Sequence, residues 1–429
     1  MMAGIFFYLI LGILLFDYCF EQVLSYLNST SWSDQLPAEL KGIYDQEKYS
    51  KSQRYEKSKR KFSFILETLT LLAMAVMLLA GGFAWTDSFV RQYTHQAIPM
   101  ALLFFGILGL VSNFLSLPFD VYHVFVIEER FGFNRTTVRT FILDRLKGLL
   151  LSVIIGGGLL SLIILIYEST GNYFWIVAWG VITFFMVFMS MFYSNLIVPL
   201  FNRQKPLDPG SLRDAIEAFA TGVGFRLKNI YVIDGSKRSK KANAYFTGLG
   251  MKKRIVLYDT LINDHTTEEL VAILAHEIGH YKKKHTMTGI ILSTLQTGIM
   301  LFILSLFIRK DSFLAQSLCQ ALSGFSGIAV TQSFHAGILA FGLLYSPLSF
   351  LLGLMMNLIS RKNEYAADRF AGLNYSPSSL MNALKKLSVN NLSNLRPHPA
   401  YVFFHYSHPT LLQRLEALKK IGNADSIPE

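Results

Sequence analysis

The sequence predicts a mainly α-helical membrane protein of seven spans that carries a small α+β domain. Three observations predict it. Of 429 residues, 52% are hydrophobic and only 16% are charged, against roughly 25% charge in soluble domains. The apolar residues fall in long blocks, each near the roughly 20 residues a helix needs to cross a bilayer. Lys and Arg alternate sharply between the loops that separate those blocks. A chain this apolar is not disordered. Its net charge of +11 raises a nucleic-acid reading, which the placement of the basic residues decides.

The blocks lie at about 3–24, 62–85, 98–117, 148–167, 173–197, 288–308 and 337–358. Gly148 to Tyr167 holds no charge and is apolar all round, unlike a surface helix. Asp17 and Glu67 fall inside the first two blocks and are expected to face protein or water. No basic residue precedes Lys41, so the first block lacks the basic region of a cleavable signal and reads as a retained span. In chain order the six loops hold 8, 1, 5, 0, 15 and 2 Lys/Arg and the tail holds 9. Alternate loops therefore place 37 on one face and 3 on the other. The rich face is the cytoplasmic one, with the N-terminus outside and the C-terminus inside. The +11 is a record of topology. No basic stripe accompanies a nucleic-acid motif, and no nucleic-acid partner is expected; the lipid bilayer is.

Residues 313–334 are moderately apolar but rich in Ser, Gln and Gly, which predicts an outer-surface or interfacial helix. An eighth span there would reverse the tail. Cys19 and Cys319 fall on opposite faces, so no disulfide is expected and no Cys-rich metal site is possible. The chain divides into a five-span membrane part (1–197), a cytoplasmic α+β segment (198–287), spans six and seven (288–358) and a C-terminal part (359–429).

In 198–287, Ser211 reads as the N-cap of a helix reaching Gly222, with Ile216, Phe219 and Ala220 on one face. Asn229–Ile233, Asn243–Thr247 and Arg254–Tyr258 read as strands. Thr266 and Glu269 form a capping-box pattern that opens an apolar-periodic helix.

That helix contains His276-Glu277-Ile278-Gly279-His280, an HExxH pattern. Residues four apart share a helix face, so both imidazoles can bind one Zn²⁺. Glu277 stands beside them, placed to take the proton of an attacking water. Catalytic zinc uses three protein ligands and one open position. No third His stands at the HExxHxxGxxH spacing, where Lys283 and Thr286 occupy the positions. His285, five residues after His280, is rotated away and reads as a surface histidine at the membrane interface. Glu364, just beyond the seventh block, is the best remaining ligand. Asp368, one turn on, is placed to orient a ligating histidine. The competing reading is two solvated carboxylates on an amphipathic helix. Topology gives an independent check: two spans separate His280 from Glu364, so both lie on one face. Tyr281-Lys282-Lys283-Lys284 reads as an interface anchor. Glu128, Glu129 and Asp144 read as structural ion-pairing partners among Arg130, Arg135 and Arg139.

Further motifs are Pro118-Phe119-Asp120 and Ile127–Asn134 in the N-terminal half, Asn243-Ala244-Tyr245-Phe246 before the zinc helix, and Ser407-His408-Pro409 with Arg414 near the end. Together with the two metal motifs they resemble the type 1 CAAX prenyl endopeptidases, integral-membrane zinc metalloproteases of the gluzincin type, over nearly the whole chain. The resemblance implies a seven-helix barrel around a large water-filled chamber, capped by the zinc domain. It implies cleavage of peptide or protein substrates, including removal of the C-terminal tripeptide from prenylated CAAX proteins. In gluzincins an edge strand pairs with the substrate backbone. Asn243, Ala244 and Tyr245 look like that strand, the alternative being an ordinary strand end. His408 and then Arg414 are the candidates for stabilising the oxyanion. His405 stays open beside them, as does the reading that Ser407–Pro409 only caps a last helix, Thr410 to Ile421. The chain ends Asp425–Glu429 without a dilysine retrieval signal, so a bacterial inner membrane is expected, with the endoplasmic reticulum membrane as the alternative. Two rivals remain. A membrane quality-control metalloprotease would have fewer spans. A transporter would show paired repeats or broken spans, and none is seen.

Overall fold

A computed structural model of the protein describes residues 1–33, 35–36, 41–42, 44–225, 230–247, 254–310 and 312–424. Asn229 and Asp425–Glu429 lie outside the described residues. The chain opens with α1 (Met2–Thr30), α2 (Gln46–Leu79), α3 (Gly82–Arg91) and α4 (Ala97–Tyr122), which runs on through a wide π-helical turn, His123–Glu128. Next come α5 (Val138–Leu151), α6 (Gly157–Thr170), α7 (Phe174–Leu196) and α8 (Val198–Phe201).

Among the described residues, six helical stretches are long and apolar enough to cross a membrane. One of them, Val138–Phe201, is 64 residues long and holds the fourth and fifth predicted blocks. Straight, it would measure about 96 Å at 1.5 Å per residue, three times a bilayer's apolar thickness. It breaks at Gly171, whose φ of +52° is open to glycine at little cost. Lys147 Nζ donates to the Leu200 carbonyl at 2.7 Å, so the two limbs return to the same end. Six stretches with one folded double give the seven apolar limbs. The second limb ends at Leu79 rather than 85 and gives way to α3.

The polar groups inside the apolar limbs meet protein. Ser346 donates to Asp17, and Gln22 and Ser63 donate to Glu67, each at 2.6 Å. The outward faces of α4 to α7 expose Phe114, Val153, Leu165 and Phe184, apolar surface of the kind that meets lipid.

The α+β part begins with β1 (Gln204–Pro206), α9 (Ser211–Gly222), β2 (Ile230–Ile233), β3 (Ala244–Thr247) and β4 (Arg254–Tyr258). The sheet order is β1-β2-β4-β3. Only β2 and β4 run parallel, and β3 lies at the edge, antiparallel to β4 with Ala244 opposite Leu257. Ser211 is the first helical residue of α9 behind Gly210 and makes no cap, so the expected N-cap is corrected. Then follow α10 (Asp259–Asp264), α11 (Thr267–Lys282), α12 (His285–Phe307), α13 (Phe313–Gln320), α14 (Phe334–Asn374), α15 (Pro377–Asn390), α16 (Pro399–His405) and α17 (Leu411–Ala424). Ile216, Ile255, Leu257, Leu274 and Ile278 are buried between the sheet and α9 and α11.

α13 has 8 residues, far too few to span, so 313–334 does not reverse the tail. Cys19 and Cys319 are both free. The ion pairs of the third loop differ from expectation. Asp144 pairs with Arg238 and Glu128 with Lys241, both in the α+β part. These cations lie 94 and 113 positions away along the chain, so the fold and not the local sequence brings them to the carboxylates.

Candidate metal centre

α11 is a well-defined helix start. Thr266 Oγ1 accepts from Glu269 N at 3.3 Å and Glu269 Oε2 accepts from Thr266 N at 3.0 Å, satisfying two end groups reciprocally. The helix is buried from Glu269 through Ile278 except at Glu277. It crosses α14 closely at Gly279, where an added Cβ would meet the Ala367 backbone at 3.2 Å. α14 is one continuous helix of 41 residues, so the last apolar limb runs directly into the segment carrying Glu364 and Asp368.

At the crossing, His276, His280 and Glu364 each turn one ligand atom inward, all within 4.8 Å of one another. The two Nε2 atoms are 3.1 Å apart. Glu364 lies 3.1 Å from His280 Nε2 and 3.4 Å from His276 Nε2. Donors about 2.05 Å from one tetrahedral ion would stand about 3.3 Å from each other, so the set fits a shared cation. Glu364 Oε2 is buried without a hydrogen-bond partner, the kind of orphaned oxygen a cation satisfies.

The surroundings orient these ligands. His276 Nδ1 donates to Asp368 Oδ1 at 2.9 Å, and Asp368 is 1% exposed. Arg414 grips the same carboxylate through two bonds, of 2.8 and 2.6 Å. Burial alone would keep His276 neutral; its bond to Asp368 and the nearby Glu364 carboxylate outweigh that and hold its pKa up at about 9. The carboxylates around it thus favour positive charge at this spot. Burial pushes the Glu277 carboxyl above the usual range, opposed by the two histidines.

His285 corrects expectation. Its Nδ1 lies 3.0 Å from His280 Nδ1, behind the ligand rather than on the surface. Counting along one helix misplaced it, because Lys284, at φ +59°, breaks α11 from α12 and resets the helical phase. Tyr281 packs on Phe225 at 5.1 Å.

A cavity of about 270 Å³ over the centre brings Asn243 and Ala244 together with His276, Glu277, His280, Glu364, His408 and Arg414. The Tyr245 side chain is absent from its lining; its hydroxyl lies 3.4 Å from Gln204, on the other face of β3, as strand alternation requires. His408 Nε2 is 3.3 Å from Glu364, and Ser407 meets its Nδ1 at 2.9 Å. His405 pairs with Glu21 of α1 at 3.2 Å and is not at the centre. Thr410 caps α17, exchanging hydrogen bonds with Gln413, so Ser407–Pro409 is not the cap. On the membrane side a second cavity, about 300 Å³, runs from Glu277 and His280 past His285 to Leu292, Met356 and Ile359.

A buried centre of two histidines and a glutamate, with an unligated glutamate beside them, at the end of an apolar helical bundle defines an integral-membrane metallopeptidase. Residues 206–422 match peptidase family M48, and residues 26–203 match the CAAX prenyl protease N-terminal region of five membrane helices. The chain belongs to peptidase family M48 and is a multi-pass membrane metalloprotease. It is 36% identical to "CAAX prenyl protease 1" of Saccharomyces cerevisiae, over 96% of this chain and 95% of that one. It is 31% identical to the human "CAAX prenyl protease 1 homolog", over 90% and 88% of the two chains. The crystal structure of S. mikatae Ste24p superposes with a TM-score of 0.89 at 34% identity, covering 96% of this chain and 99% of that one. These similarities support neither the quality-control nor the transporter reading.

Proposed function

We propose that the chain is a zinc-dependent endopeptidase with His276, His280 and Glu364 as the ligands and Glu277 as the general base. The observation that carries this reading is the crossing of α11 and α14, which gathers those three donors within 4.8 Å. A bound zinc ion supplies Lewis acidity toward the scissile carbonyl and lowers the pKa of water. Glu277 takes the proton of the attacking water and passes it to the leaving amine. The peptide backbone pairs with the open edge of β3 at Asn243, Ala244 and Tyr245, and the small Ala244 leaves room for it. His408, its ring held by Ser407, donates to the oxyanion. Arg414, already held by Asp368, is the second donor, and Asp368 fixes His276.

The substrate reading is a prenylated protein ending in CAAX. The names of the relatives support it, and so does the cavity toward Leu292, Met356 and Ile359, which offers an apolar chain a place next to Glu277. The seven limbs form the barrel, with the division at 197, 287 and 358 described above. The catalytic part faces the cytoplasm. The named relatives are eukaryotic, and their company favours the endoplasmic reticulum membrane over the bacterial inner membrane expected above.

Matched prenylated and unprenylated CAAX peptides, each with and without chelator, test the function. The expected outcome is cleavage of the prenylated peptide that stops with chelator. Cleavage indifferent to chelator contradicts the zinc reading, and equal turnover of both peptides replaces CAAX specificity by general proteolysis.

A further inference from the structure

The segment Ile127–Asn134 takes no part in the chemistry above, yet it touches the strand that does. Glu128, at the end of the π-helical turn after α4, has a side chain only 13% exposed and pairs with Lys241 Nζ at 2.8 Å. Tyr55 of α2 donates to the same carboxylate. Lys241 Nζ also donates to the Tyr55 hydroxyl at 2.9 Å and lies 4.5 Å over the Phe133 ring. The backbone follows suit: Lys240 N donates to the Phe133 carbonyl and Arg135 N to the Arg238 carbonyl, both at 3.0 Å. On the other side, Asn391 accepts from Ala242 N and donates to its carbonyl, at 3.2 and 3.3 Å. These anchors, from 238 to 242, end where Asn243–Tyr245 begins. Among the described residues, β3 pairs only with β4, and it has four residues. The seat of so short an edge strand is set by its lead-in.

We propose that Glu128, with Tyr55 and Lys241, is a positioning device that fixes the edge strand β3 relative to the membrane helices and thereby sets peptide affinity rather than the chemical step. The proposal rests on β3 being the substrate strand. Glu128, Tyr55 and Lys241 share one hydrogen-bonded cluster, and members of one network couple, so losing one partner releases the lead-in without touching the metal ligands.

The test uses the full-length protein with Glu128→Gln, Lys241→Met, the double variant and Tyr55→Phe, reading kcat, KM and zinc content. Glu128→Gln and Lys241→Met should each raise KM about tenfold with kcat within about twofold and zinc unchanged, and the double variant should be no worse than either single. An unchanged KM in folded, zinc-loaded Glu128→Gln overturns the proposal, as does a fall in kcat alone. Tyr55→Phe removes only a hydroxyl and covers the case where Glu128→Gln does not fold; it should raise KM a few-fold, and an unchanged KM overturns the proposal equally. Unaltered protein that cleaves nothing, or cleaves despite chelator, overturns the underlying reading instead and is seen before any variant is compared.

Discussion

Asp368 shows how one buried carboxylate organises the centre: it receives the His276 N–H and two N–H groups of Arg414, so histidine, carboxylate and guanidinium form one chain. The HExxH residues were legible because a helix repeats every 3.6 residues and sets His276 and His280 on one face. Glu364 was legible only with topology added, since it stands 84 positions after His280. His285 was misread because periodicity holds only while the helix continues. The buried pair of His335 and Asp87, 2.7 Å apart, carried no sequence signal at all, as its partners are 248 positions apart. If Glu364 is the third ligand, Glu364→Ala protein should lose its metal. Full zinc occupancy by elemental analysis would remove Glu364 from the centre.

Elements follow the sequence where their ends are chemically marked. Thr266 and Glu269 announced α11, and the structure contains both bonds of the capping box. Thr266→Ala should destabilise the α+β part by about 1 kcal/mol, read as a lower thermal midpoint at unchanged zinc content; an unmoved midpoint contradicts the cap's role. Where an end depends on tertiary contact, the sequence was less informative. Composition made 62–85 one block, but the chain turns at Ala80 and Gly81 and starts α3. The edge position of β3 was expected only through the family resemblance and not from the strand pattern, because strand order is a property of the assembled sheet. The continuity of α14 matters most at this scale, since one stiff helix links the bilayer to Glu364.

The whole molecule returns to its charge. The 37-to-3 partition of Lys and Arg shows where the basic residues behind the +11 sit, and it agrees with the centre, because His280 and Glu364 meet only if 313–334 does not span. With Cys19 and Cys319 replaced, a cysteine at Asn172 should react with impermeant label from outside and one at Lys283 only from the cytoplasmic side; the reverse pattern contradicts the orientation. The helical bundle was legible only as a count of limbs, since packing between helices is not written in hydropathy. The central claim is that this membrane protein cuts peptides by a base at Glu277 beside a bound zinc ion. Its most direct test is peptide turnover and zinc content of purified Glu277→Gln protein measured together. The account predicts abolished turnover with zinc near one per chain. Undiminished turnover at that zinc content would contradict it.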